Sequence, residues 1–356
     1  MENKGRPKVN DEKRGGPVDK DSSECRNMTM KVARDDTELN AFHFESLPDL
    51  AKWWALISDS IQHSKDNDLS VASTLKEAPW IEEFRTTIKN ILQSRNIGDE
   101  QRKMALTLAS TMTSTFGTAW LGSDSVMLQL LASLAAIDIR MMLDRDTNLT
   151  AAQHEAETSV SGQSTGMDAV YIARCCELLE TALQCAASVA DEPKAKDQPG
   201  DGGLGLTETQ ALQINKTLLE LTEFLLQYFV IMDERSLMIP DCVSYPLYRF
   251  VCAYLAQGLA LVGRDNLIAA AKPLFILNQR IMTDLNEKND ESNEHFDSTA
   301  LLLPALYELI EMGNEWNQVK KVFRDQGALS LVENYFQCNE MLSEYEQHIL
   351  EIWRNL

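Results

Sequence analysis

The chain has 356 residues, 44% of them hydrophobic, with only 16 glycines and 10 prolines, so it can bury a core and leans toward helix. Its net charge is −21. That acidity excludes nucleic acid, whose phosphates it repels, and favours basic segments of other proteins as partners.

The charge is uneven. Residues 1–34 carry nine Lys and Arg against six Asp and Glu, while the rest is strongly acidic. The polar, Gly- and Pro-containing start predicts a disordered charged tail over 1–42. A helical domain is expected over 43–356. Its first helix carries Leu50, Trp53, Trp54, Ile57 and Ile61 at spacings of three and four. Trp53 and Trp54 read equally as core and as an aromatic partner surface.

Pro79 opens the next helix, with Ile81, Phe84, Ile88, Ile91 and Leu92 on one face. Asp99 is the expected cap of a third helix ending at Gly117. Ser123 or Asp124 caps a fourth, VMLQLLASLAAIDIRMMLDR, which is apolar nearly all round. Gln129, Ser133, Arg140 and Asp144 share one narrow stripe, the expected solvent strip. Asp138 lies on the far side, so it should be buried and hydrogen-bonded or paired to a neighbouring helix end. Asp138 and Arg140 are the structural polar candidates. They also interrupt the apolar run, so no transmembrane segment is expected.

Mobile loops are expected near 146–166, 191–206 and 284–297, the second holding Pro193 and Pro199. Between them come a helix through Cys175 and Cys176 and another over about Thr207 to Met232. Ser244 and Pro246 should begin the next. Asp265 should cap a further helix that bends at Pro273. STALLLPALYELIEMG and two or three shorter helices close the chain. No period-two alternation is sustained. The expected fold is all-α, an armadillo/HEAT-like α-solenoid of about 10–12 helices with degenerate repeats.

Chemistry-bearing patterns lack their contexts. GQSTG fits a nucleophile elbow around Ser164, but the polar residues before it cannot form the buried strand that motif needs. Gly202, Gly203 and Gly205 precede a helix without the strand and Lys of a phosphate loop. The five histidines are scattered, so no metal and no cofactor are expected. The seven cysteines are odd in number and show no C-x-x-C pair, which reads as reduced thiols in a cytoplasmic protein.

The order of FRTTIKNILQSR, QRKMALTLASTM, FGTAWLGSD, LLASLAAIDIRMMLD, LLLPALYELIEMG and DQGALSLVENYFQ resembles the neurochondrin family, from about Pro79 to Phe336. The turn at Trp120, the Asp138–Arg140 pair, the run Leu301–Pro304 and the helix after Gly327 carry the likeness. Family proteins are longer, and this chain looks like their middle part.

The resemblance implies an armadillo-like scaffold without enzymatic activity. It also implies roles in neurite outgrowth and in restraining calcium/calmodulin-dependent kinase, and binding of receptor tails at dendrites. Family membrane attachment runs through cysteines at the extreme N-terminus. This chain has none before Cys25, which argues against lipid anchoring. A generic solenoid scaffold or trafficking adaptor is the alternative, and a hydrolase using Ser164 is the last.

Overall fold

A computed structural model describes residues 79–155, 168–191, 205–288, 299–337 and 344–356. The chain divides into two compact units, residues 1–84 and 85–356. The tail expected over 1–42, Trp53, Trp54, Ser164 and most of the loop expected near 191–206 lie outside the described residues.

Local chemistry sets the helix ends. α1, Pro79–Gln93, spans the division between the units. α2, Asp99–Phe116, starts one residue earlier than a cap at Asp99 would place it. Gly98 takes the N-cap position and its N–H donates to the Gln101 side chain, while Asp99 sits in the first turn against the positive helix end. Gly117, at φ 64°, ends α2 in a conformation that costs glycine little. A 3-10 turn, Gly117–Leu121, then drives Trp120 fully into the core, where its Nε1–H donates to Thr113 Oγ1 at 2.9 Å.

α3, Ser125–Glu155, is capped by Asp124, whose carboxylate accepts from the Met127 N–H at 3.1 Å. It runs ten residues into the stretch expected to be a loop from Asp146. DTNLTAAQHE contains neither Gly nor Pro, so nothing in the backbone stops the helix there. α4, Ala169–Asp191, is capped by Asp168 through the Tyr171 N–H. α5, Glu208–Glu234, carries a reciprocal cap between Thr207 and Gln210.

α6, Asp241–Gly258, begins three residues before Ser244, because Pro240 and Asp241 supply the start signals. α7, Arg264–Lys288, takes Asp265 into its first turn and contains Pro273. α8, Thr299–Glu311, contains Pro304. α9, Asn317–Asp325, α10, Ala328–Gln337, and α11, Glu344–Asn355, complete the eleven α-helices among the described residues, where no strand occurs.

The described residues within 85–356 form an all-α, armadillo/HEAT-like solenoid of two helix layers. The even layer stacks α2 on α4, α4 on α6 and α6 on α8. The odd layer stacks α3 on α5, α5 on α7 and α7 on α9. Contacts of α4 with α3 and α5, and of α6 with α5 and α7, join the layers. α6 sits at the crossing, with Val243, Leu247, Tyr248, Phe250, Val251, Tyr254 and Leu255 all at 0% exposure. Each such side chain contributes roughly 1.5–3 kcal/mol of burial, so α6 helps hold the two layers together. Lys320 is also buried. Its Nζ donates to the Ile310 and Met312 carbonyls and so closes the C-terminal end of α8.

Candidate interaction surfaces

Asp138 is 4% exposed, and three helices converge on it. Arg102 Nε on α2 donates to both its oxygens, at 2.9 and 3.1 Å. The Tyr171 hydroxyl on α4 donates to Oδ2. The hydrogen bond to Asp138 raises the Arg102 pKa further, against the lowering effect of burial. Burial first, then the neighbouring thiol and carboxylate, pushes the Tyr171 phenol far up, so it stays a donor. The Asp138 carboxylate is satisfied and almost wholly buried, and the cluster fixes α3 between α2 and α4. Arg140 is half-buried, 4.0 Å from Glu220 on α5 and with its guanidinium 5.8 Å from the Phe224 ring. The two candidates thus serve different neighbours. The sequence showed that Asp138 needed a partner, but Arg102 and Tyr171 could not be named before the layers were known.

The even layer presents a polar face. Where α2, α4, α6 and α8 are not covered, they show Thr107, Thr111 and Ser114, then Arg174, Glu177, Glu180 and Thr181, then Tyr245 and Arg249, then Tyr307 and Glu308. Glu177 Oε2 accepts from Ser110 Oγ at 2.7 Å and Arg174 Nη1 at 2.9 Å. Burial raises its pKa, but those bonds outweigh burial and hold it below the usual carboxylate range. Glu180 Oε1 accepts from Arg249 Nε at 2.8 Å, yet burial wins there and the pKa rises. Each carboxylate is held through one oxygen, in positions preset for a donor. Sequence reading passed over both, because acidic residues in an acidic chain carry no local signal.

α3 departs from its expected solvent strip. Gln129, Ser133 and Arg140 are half-buried, and the most exposed large side chains are apolar: Val126, Ile137 and Met141, beside Asp144 and Arg145. The reason is rotation. α4 and α5 cover α3 on two sides, and the remaining flank lies partly over the polar stripe and partly over the apolar residues next to it. Ser125–Arg145 is also long and apolar enough by composition to cross a membrane, despite Asp138 and Arg140. Half of that window is buried inside the fold, as in a core helix, so no clear transmembrane span is present among the described residues.

Of the described cysteines, Cys175, Cys176 and Cys252 are buried, Cys185 is half-buried and Cys242 is exposed. No group of three or more His, Cys, Asp or Glu among the described residues is placed to hold a metal ion.

Two stacked helix layers whose open faces offer surface define an α-solenoid of the armadillo/HEAT kind. The chain belongs to the neurochondrin family: the family model, described as Neurochondrin, matches residues 38–349, most of its length. No curated protein and no solved structure matches it.

Proposed function

We propose that the chain is a non-enzymatic scaffold that regulates neuronal signalling by holding segments of other proteins. The observation that carries this reading is the even-layer face. There Glu177 and Glu180 are fixed by Arg174 and Arg249 with acceptor oxygens left over, across four helices that stack as a continuous platform. Helices about 10 Å apart make a platform about 30 Å long, the span of about nine residues of extended chain. Basic side chains of such a segment complement the carboxylates, and the chain's net charge of −21 speeds their approach.

Family membership supports a scaffold in general. The resemblance adds calcium/calmodulin-dependent kinase and receptor tails as partners, neurite outgrowth as the process, and the cytoplasm of neuronal projections as the place. The test immobilises the full chain and measures binding of the purified kinase and of receptor C-terminal tails. Binding should weaken about tenfold in the double variant Glu177→Gln/Glu180→Gln and fall steeply with salt. Failure of both partners to bind, or turnover of an ester by the purified chain, would overturn the reading.

A further inference from the structure

α3 lies in the odd layer, away from the even-layer platform, and keeps an uncovered apolar row. Val126 is 48% exposed, Ile137 49% and Met141 44%, with Leu130 and Leu134 half-buried between them. At 100° per residue these five fall within an arc of about 80°, and the row is about 22 Å long. Single exposed apolar residues are ordinary, but a contiguous row marks a contact site.

The surroundings select the occupant. α5, which lies along α3, reaches it with Glu220, while Glu223 and Asp233 are turned to Asn266 and Lys272 on α7. On α3 itself Arg140 is turned toward Glu220 and Phe224, and Asp144 and Arg145 offset each other. A second copy would bring −21 against −21, and an anionic lipid surface would meet the same repulsion. The row has the i, i+4, i+8, i+11 spacing that accepts the side chains of a helix laid along it. We infer that this row, with Glu220 of α5 beside it and the chain's net charge of −21 around it, docks a basic amphipathic helix of about four turns from another protein. The site is separate from the even-layer platform and does not depend on it.

The test uses the full chain and a fluorescein-labelled helical peptide of about 18 residues, Leu on one face and Lys on the other, read by anisotropy. A matched Leu/Glu peptide is the control. The Leu/Lys peptide should bind, and Ile137→Glu/Met141→Glu should weaken it about tenfold while Glu177→Gln/Glu180→Gln leaves it unchanged. Both α3 positions are exposed, so the circular-dichroism melt should not move. Glu220→Lys reads the same contact from α5 and should weaken binding several-fold at low salt. Equal affinity for the Leu/Glu peptide, or unchanged affinity in the α3 variant, would overturn the inference. So would a doubled mass in light scattering that the α3 variant abolishes, which makes the occupant a second copy. Cosedimentation with phosphatidylserine vesicles in place of peptide binding would make it a lipid surface.

Discussion

Arg102 and Asp138 stand 36 positions apart and meet with Nε 2.9 Å from Oδ1, fastening the first turn of α2 to the middle of α3. Asp138 is almost wholly buried, whereas Arg102 keeps some solvent. Removing the carboxylate therefore strands two donors, Arg102 and the 3%-exposed Tyr171. Asp138→Ala should cost about 3 kcal/mol in urea unfolding, as loss of one partner of a buried pair does. Tyr171→Phe should cost about 1 kcal/mol, since the ion pair survives it. Equal, small losses in both variants would mean that the carboxylate is solvated in the native state.

Glu177 gives a pH signature. Its folded pKa lies below the unfolded value, because the bonds from Ser110 and Arg174 outweigh burial. The unfolded chain therefore binds the proton first on acidification, and the stabilisation is present above the unfolded pKa and lost as pH falls through the folded one. Glu177→Gln should be less stable than wild type at pH 7 by about 1 kcal/mol, the low end for a half-exposed charged bond. The gap should close as pH falls through the lowered folded pKa, where the wild-type carboxyl is protonated too. Glu180 has the opposite sign, since its folded pKa is raised. Its protonation on acidification favours the folded state, so Glu180→Gln should remove that compensation. Urea titrations from pH 3 to pH 7 on the three proteins separate the two slopes.

The helices were legible because their signals are local. The cap at Asp124, the stop at Gly117 and the Thr207–Gln210 cap are each set within four residues. The layer pairing was not legible, and everything that depends on it was lost with it. The period along α3 showed which residues shared a stripe, but not which stripe α4 and α5 would cover. The expected polar strip and the observed apolar row are neighbours on the same helix, and a modest rotation exchanges them. Asp138 was legible as a group in need of a bond because charge burial is a local certainty. Arg102 and Tyr171 answer it from other helices. Glu177 and Glu180 became a site only when α2 and α6 brought Ser110 and Arg249 beside them.

Gly122 tests the turn that carries Trp120. It has φ 57°, and a Cβ there would stand 2.3 Å from Arg85 Nη1, which donates to the Trp120 carbonyl at 3.1 Å. Gly122→Ala adds left-handed strain of roughly 1–2 kcal/mol and forces the guanidinium off that carbonyl. Arg85→Ala should cost less alone, and the double variant should be less than additive, because the alanine at 122 no longer meets Arg85. Additive losses in a thermal or urea series would show that the two residues do not touch.

The cysteines grade the packing of α4 and α6 residue by residue. Burial pushes the Cys175 and Cys252 thiols up to about 12, Cys176 well above its ordinary value, and Cys185 upward to a lesser degree. Cys242 is exposed in the first turn of α6. Reaction runs through the thiolate and needs access, so at pH 8 a buried thiol with pKa about 12 offers about one part in ten thousand as nucleophile. Iodoacetamide should label Cys242 within minutes on the native chain, while Cys175, Cys176 and Cys252 should wait for urea. Mass mapping of the labelled peptides keeps these sites apart from the other cysteines. Native labelling of Cys252 as fast as Cys242 would mean that α6 opens to solvent, and the continuous even-layer platform would go with it.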